Sequence, residues 1–220
     1  MLNYEIFRPD VVRSIHSNQR DLLRSIALLY FKRFGGQVDL DVTYGWGGFY
    51  RGATELVPRF VFDLRPKRAK SAVADCRELP IKNNQMGVVM FDPPFLIKNG
   101  DNGYYPLAKY GVFQSIDEYF DFIDRSLAEI YRVLKVYGVL VVKIQDVVNG
   151  KHNVFSHAKI MLSAEKIGFR IEDIFILFNS RKLIDPGIKN QMHARKFHCY
   201  FIVLKKVPVV YQTCKNLHSS

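Results

Sequence analysis

A chain of 220 residues with 48% apolar side chains is long enough for one domain with a large core and short for two. It carries 32 Lys and Arg against 21 Asp and Glu, and this charge of +11 favours a polyanionic partner such as nucleic acid over a small neutral metabolite. No apolar run approaches the ~20 residues of a membrane span, and Met1-Leu2-Asn3-Tyr4-Glu5 lacks the layout of a secretory signal. Cys76, Cys199 and Cys214 are scattered, without a C-x-x-C pair, so neither a disulfide frame nor a metal site is supported. No membrane and no metal partner is expected, and a reducing cytoplasm is the expected compartment.

Residues 1–16 read as an N-terminal extension. Over residues 17–34 Leu22, Leu23, Ile26, Leu29 and Tyr30 recur at helical spacing, and Gly35-Gly36 stops the helix. Short strands are predicted over 38–42, 59–62 and 71–74, and a fully apolar one over 87–91. Ser115 and Glu118 form an S-x-x-E capping box that opens a helix running to about residue 136. Gly138 starts the strongest strand, 139–144. A helix over 156–167 ends at Gly168, and strands over 170–178 and 197–204 form a terminal hairpin. Residues 207–220 read as a flexible tail. Strands alternating with helices imply a mostly parallel sheet covered on both faces. Two polar stretches, 96–114 and 179–196, are long enough to read as functional surface.

The most informative motif is Asp92-Pro93-Pro94-Phe95, directly after the apolar run 87–91. Its prolines set φ and remove two backbone donors, so the Phe91 and Pro93 carbonyls can point outward unpaired. The acid and the ring then stand at the carboxyl end of a strand, where open α/β sheets bind ligands. One carboxylate, one carbonyl and one stacking face can grip a planar base by its amino group. A core ring beneath a turn is the structural alternative for Phe95.

Upstream, Asp41-Val42-Thr43-Tyr44-Gly45-Trp46-Gly47-Gly48 follows the first strand. Its glycines let the backbone approach a ligand, and the acid can bind an ammonium or hydroxyl. It is neither G-x-G-x-x-G nor a G-K-[ST] triphosphate loop. Asp63 ends the second strand, close to the ~20-residue interval at which an acid meets a ribose hydroxyl pair. Asp75 ends the third. Each of these two acids alone reads equally well as a helix N-cap. Three acids ending successive strands point to a cofactor crevice.

In their order, Asp41-x-x-x-Gly45-x-Gly47, Asp63, Asp75 and Asp92-Pro93-Pro94-Phe95 resemble the successive motifs of S-adenosylmethionine-dependent amino-methyltransferases. Segments 41–45, 90–96, Gln145-Asp146 and 193–198 resemble more closely the small DNA (adenine-N6) methyltransferases of phages and prophages, over a domain of residues 17–206. The resemblance implies an α/β, Rossmann-like class I methyltransferase with a seven-stranded, mostly parallel sheet and a terminal antiparallel hairpin. It implies S-adenosyl-L-methionine as cofactor, bound by Asp41, Tyr44, Gly45, Gly47, Asp63 and Asp75. Gly45 and Gly47 would face the methionine part, Asp63 the ribose and Asp75 the adenine amino group. Asp92 and the Pro93 carbonyl would accept the two amine hydrogens of the target, with Pro94 and Phe95 completing the catalytic turn and Phe95 stacking on the extruded base.

The chain departs from the DNA enzymes where Tyr44 and Trp46 crowd the glycine turn, and in lacking a large target-recognition domain. Lys98, Lys109, Arg181, Lys182, Lys189, Arg195 and Lys196, with Tyr104, Tyr105 and Tyr110 among them, suit phosphate contacts and base stacking. Each cation alone reads as solvated surface. His193 and His198 read equally as phosphate contacts or structural histidines, and Gln145-Asp146 as orienting a loop or touching the base. Adenine in DNA is the expected target. RNA amines, the cytosine amine and a catalytically inactive nucleic-acid binder are the alternatives.

Overall fold

The computed structural model describes residues 11–98, 112–178 and 192–208. In chain order its elements are β1 (Ile15–His16), α1 (Gln19–Tyr30), β2 (Leu40–Asp41), β3 (Phe60–Asp63), β4 (Ala72–Val73) and β5 (Met86–Phe91). There follow α2 (Ile116–Val133), β6 (Leu134–Ile144), β7 (Val147–Asn149), β8 (His152–Val154), α3 (Ser156–Ile167), β9 (Phe169–Phe178) and β10 (His198–Lys206). One sheet runs β1-β9-β10-β6-β5-β2-β3-β4, and β7 pairs with β8 outside it. Neighbours in the large sheet are parallel except around β10, which is antiparallel to both β6 and β9. This is the expected Rossmann-like architecture with its terminal hairpin.

The sheet has eight strands among the described residues, not the expected seven. The extra one is β1, where Ile15 and His16 lie opposite Ile176 and Leu177 of β9, and the Ile176 amide donates to Ser14 O at 2.7 Å. Two residues are too few to show an alternation, so the strand leaves no pattern in the sequence. Its effect is to cover backbone groups on the outer edge of β9.

Strand alternation divides the core in two. Val89 and Phe91 of β5, with Leu140 and Val142 of β6, pack under α2 and α3 against Ile123, Leu127 and Ile160. Their neighbours Val88, Met90, Val139 and Val141 point the other way, onto Leu22, Leu23 and Ile26 of α1. A strand buried on both faces reads as an unbroken apolar run, which is why 87–91 and 139–144 stood out.

The helices start as their capping residues dictate. Asn18 Oδ1 accepts from the Arg20 amide, and Ser115 Oγ accepts from the Glu118 amide. The Glu118 carboxylate reaches back to Gln114 N rather than to Ser115 N, one residue beyond the box partner. α1 is shorter than its periodicity suggested: it ends at Tyr30, a 3-10 turn covers Lys32–Phe34, and Gly35 stands at φ 78°. Leu29, expected on the apolar face, is exposed. α2 also ends early, at Val133, because Leu134 is already extended and pairs with Met86. No helix among the described residues is long and apolar enough to cross a membrane.

At the start of β5, the Gly87 and Val88 amides both donate to Asp39 Oδ2, at 2.6 and 3.2 Å. A Cβ on Gly87 would stand 2.3 Å from the Phe34 ring and 2.9 Å from that oxygen. Gly87→Ala should therefore lower stability by roughly 1–3 kcal/mol, the usual cost of overpacking, measured by urea unfolding.

Candidate active site

The parallel strands end on one side of the sheet, where the ends of β3 and β6 and the turns after β2, β4 and β5 line a cleft of 880 Å³. β3 contributes Asp63, the turn after β4 contributes Asp75, and the turn after β5 contributes the whole Asp92-Pro93-Pro94-Phe95 segment. Tyr44 and Gly45 close one wall, while Phe197 and His198 at the start of β10 close another.

The glycine turn is held from within. Asp41, on β2, is buried and does not line the cleft. Its Oδ1 accepts from Thr43 N at 2.8 Å and its Oδ2 from the Tyr50 hydroxyl at 2.7 Å. Burial pushes this carboxyl up to about 7 against those two hydrogen bonds. Gly45, at φ 53°, donates its amide to Asp63 Oδ2, and Asp63 Oδ1 accepts from Arg65 N. A carboxylate has about four lone-pair sites, so Asp63 keeps acceptor capacity towards the cleft. Gly47 sits at φ 72°, and a Cβ there would meet the Tyr44 hydroxyl at 2.5 Å. It lines a smaller outer groove rather than the main cleft.

Asp75 faces the cleft in a bidentate pair with Arg77, which holds its carboxyl below the usual value. Cys76 beside it has its Sγ 3.3 Å from Ser126 Oγ, and burial pushes its thiol up to about 11.

Asp92 is tied to the glycine turn through its backbone: its amide donates to Thr43 Oγ1 at 2.8 Å. Its carboxylate lies 3.5 Å from Lys143 Nζ. Desolvation raises the Asp92 carboxyl, and the Lys143 ammonium acts against that rise. Lys143 itself stands 5.1 Å from the Phe49 ring centroid and 5.8 Å from that of Phe201. Sequence reasoning overlooked this residue, although a lysine interrupting the apolar run 139–144 was the signal. Phe95 lines the cleft while packing partly against the core.

The basic residues divide. Lys98 closes the base of the 96–114 stretch, with its amide on Phe113 O and its carbonyl accepting from Asn149. Gln145 donates from Nε2 to Lys196 O and His198 O, and so orients the segment carrying Arg195 and Lys196 beside Phe197. The His193 ring nitrogens engage Asn153 and Lys151 O. His198 lines the cleft and bonds the Tyr200 hydroxyl. Asp146 is buried and bonds His157 Nδ1 at 2.7 Å, and that ring stacks on Tyr200. Lys109, Arg181, Lys182, Lys189, Tyr104, Tyr105 and Tyr110 lie outside the described residues. Among the described residues no group of three His, Cys, Asp or Glu converges as metal ligands would.

Asp41 provides a test of the turn. Its carboxyl titrates at 3.8 when unfolded and about 7 when folded, so the native state is favoured at low pH and loses stability as pH rises between those values. Asp41→Asn removes that titration. The stability of the variant relative to the original should rise across this window, by at most about 1.4 kcal/mol per pH unit, measured by urea unfolding at several pH values.

A family model described as DNA methylase matches residues 86–217, more than half of the chain. No curated protein sequence matches it. Among solved structures it is similar to TTHA0409 of Thermus thermophilus, described as a DNA modification methylase. That match has 22% identity and a TM-score of 0.44, over 62% of this chain and 53% of that one. The same protein complexed with S-adenosyl-L-methionine gives 25% identity and 0.44, over 62% and 54%. The chain thus spans about half the length of the Thermus protein. The [4+2]-cyclase SpnF matches over 87% of this chain and 84% of its own, at 16% identity and a TM-score of 0.52, a likeness of fold. With the Asp-Pro-Pro-Phe turn and the last strands inside the matched region, the chain belongs to the DNA methylase family.

Proposed function

We propose that this protein methylates the exocyclic amine of a nucleic-acid base, with adenine N6 in DNA as the substrate. The observation that carries this reading is the Asp92-Pro93-Pro94-Phe95 turn opening into the cleft that the glycine turn walls, with the two turns joined by the Asp92 N to Thr43 Oγ1 bond.

The cofactor in this reading is S-adenosyl-L-methionine, with which the similar Thermus protein is complexed. The cleft fits it: the backbone at Gly45 is bare of side chain, and Asp63 keeps acceptor capacity for a ribose. Asp75 faces the same space and would take the adenine amino group. When bound, this group supplies an electrophilic methyl on a positively charged sulfur.

The protein's own groups then prepare the nucleophile. A ring-conjugated amine is a weak nucleophile because its lone pair is delocalised. The Asp92 carboxylate and the Pro93 carbonyl, which accepts no hydrogen bond among the described residues, take the two amine hydrogens and bend the nitrogen towards tetrahedral geometry. Asp92 has to be ionised to do this, and Lys143 opposes the desolvation that would protonate it. The same carboxylate receives the proton that the nitrogen sheds after transfer. Phe95 stacks on the base once it leaves the helix. Arg195 and Lys196, held by Gln145, meet the backbone phosphates.

The test is methyl transfer from labelled cofactor to unmethylated DNA and to total RNA, with nucleosides resolved by mass spectrometry. N6-methyladenine in DNA is expected, and Asp92→Asn should lower kcat by about 100-fold or more while cofactor binding persists. N4-methylcytosine alone would move the target to cytosine. Methylated bases in RNA alone would move the substrate class, and no transfer to either with cofactor bound would overturn the reading.

Lys143 makes a second prediction. Activity requires the ionised Asp92, so it falls on the acid side as Asp92 is protonated. Lys143→Met removes the charge that holds this carboxyl down, and the acid limb of the kcat/KM profile should move to higher pH. Lys143→Arg should restore it.

A further inference from the structure

Between β3 and β4, residues 65–70 carry Arg65, Lys67, Arg68 and Lys70, all exposed. None of the four forms an ion pair with a carboxylate among the described residues. The neighbouring acid, Asp63, is engaged by the backbone amides of Gly45 and Arg65. Four cations in six residues, without an ion pair among the described residues, make a strong local positive potential.

Trp46, the chain's single tryptophan, stands against this segment and is 51% exposed. Arg68 Nε donates to Trp46 O at 3.2 Å, and its guanidinium lies 6.0 Å from the Trp46 ring centroid. Lys70 Nζ lies 4.7 Å from the Tyr44 ring centroid. Tyr44, Trp46, Arg68 and Lys70 border a groove of 370 Å³. Tyr44 and Trp46 also line the main cleft, as do Arg65 and Lys67. The cations therefore lead from the cleft into the outer groove, past an exposed indole.

A pocket for one small anion would converge its cations on a point. Here they are strung along a path with an aromatic face beside it, the combination that tracks a single strand of nucleic acid. The sheet order adds a direction. β3 and β4 lie at one edge, while β10, next to Arg195 and Lys196, lies beyond β2, β5 and β6. The two basic regions thus flank the mouth of the cleft from opposite sides.

We propose that Trp46, Arg68 and Lys70 form a subsite for a nucleotide flanking the target, with its base stacked on Trp46 and its phosphates on Arg68 and Lys70. This rests on the reading of the cleft as a nucleic-acid methylation site. The strand crosses the cleft mouth with the target base turned inward over Asp92, and a neighbouring base is held outside by the indole. The stack is insensitive to base identity, because every base has a π-face.

The experiment uses the full chain saturated with S-adenosylhomocysteine and a fluorescein-labelled 12-nucleotide oligothymidylate, which contains no target adenine. Anisotropy reports binding, and in a parallel titration with unlabelled oligonucleotide the emission of the single tryptophan reports the subsite directly. Quenching of Trp46 emission on titration is expected. Trp46→Ala should weaken binding by roughly 5- to 150-fold, the range for one stacked base. In the double variant Arg68→Gln, Lys70→Gln, the slope of log affinity against log salt should shrink by about 1.4, for two lost phosphate contacts on a single strand.

S-adenosylhomocysteine affinity, unchanged in the Arg68→Gln, Lys70→Gln variant, whose residues line the groove and not the main cleft, shows that the fold and the cofactor site are intact. Loss of that affinity in this variant would assign the groove to the cofactor and overturn the subsite. Oligonucleotide binding with unmoved emission and unaltered variant affinities would overturn it while leaving the methylation reading in place. An oligonucleotide that does not bind the unmutated protein at all would overturn the subsite, with the methyl-transfer assay deciding separately on the reaction.

Discussion

The pairing of β5 with β6 sets Phe91 opposite Val142, so the next residue on each strand brings Asp92 and Lys143 side by side. On the other flank β5 pairs with β2, with Asp41 opposite Met90, and the turn that follows delivers Thr43 to the Asp92 amide. A slip of one residue in either pairing would exchange the two faces of the strand, because side chains alternate with a period of two. Val89 and Phe91 would then meet α1 instead of α2, and the core would not close. The packing of the interior therefore fixes the placement of the cleft's central acid, and the rigidity that the proposed methyl transfer needs comes from the sheet.

Electrostatics in the cleft follow the same economy of parts. Each acid that faces the open space has a partner: Asp63 has two backbone amides, Asp75 has Arg77, and Asp92 has Lys143. Asp41, with only a hydroxyl and one amide, is fully enclosed and titrates far above its ordinary range. Acids that are to stay ionised in a shielded place need a charge or several donors close by. Further along, Asp146 fixes the His157 ring, and that ring supports Tyr200, which bonds His198 at the cleft edge.

Much of this was legible in the sequence because it depends on local chemistry. Ser115 opened α2 and Gly168 closed α3 as their residue types predict, whereas the Asn18 cap and the early ends of α1 and α2 were not singled out. The apolar runs gave β5 and β6, and the Asp-Pro-Pro-Phe turn lies in the cleft. What escaped depends on the third dimension. β1 is two residues long, and the β7–β8 hairpin is hardly longer. Asp41 and Asp63 look alike as strand-terminal acids, and only the buried Tyr50 hydroxyl decides that the first turns inward. Lys143 was visible as an interruption in an apolar strand, but its meaning required knowing which strand lay next to it.

Cys76 lies in the wall of the cleft proposed to hold an alkylating reagent. A sulfonium methyl reacts readily with thiolate, the strongest nucleophile among ordinary side chains. With its thiol pushed up to about 11, Cys76 is ionised in only on the order of one molecule in ten thousand at neutral pH. The burial that fills the core beneath α2 thus also leaves this wall of the cleft without a reactive thiolate.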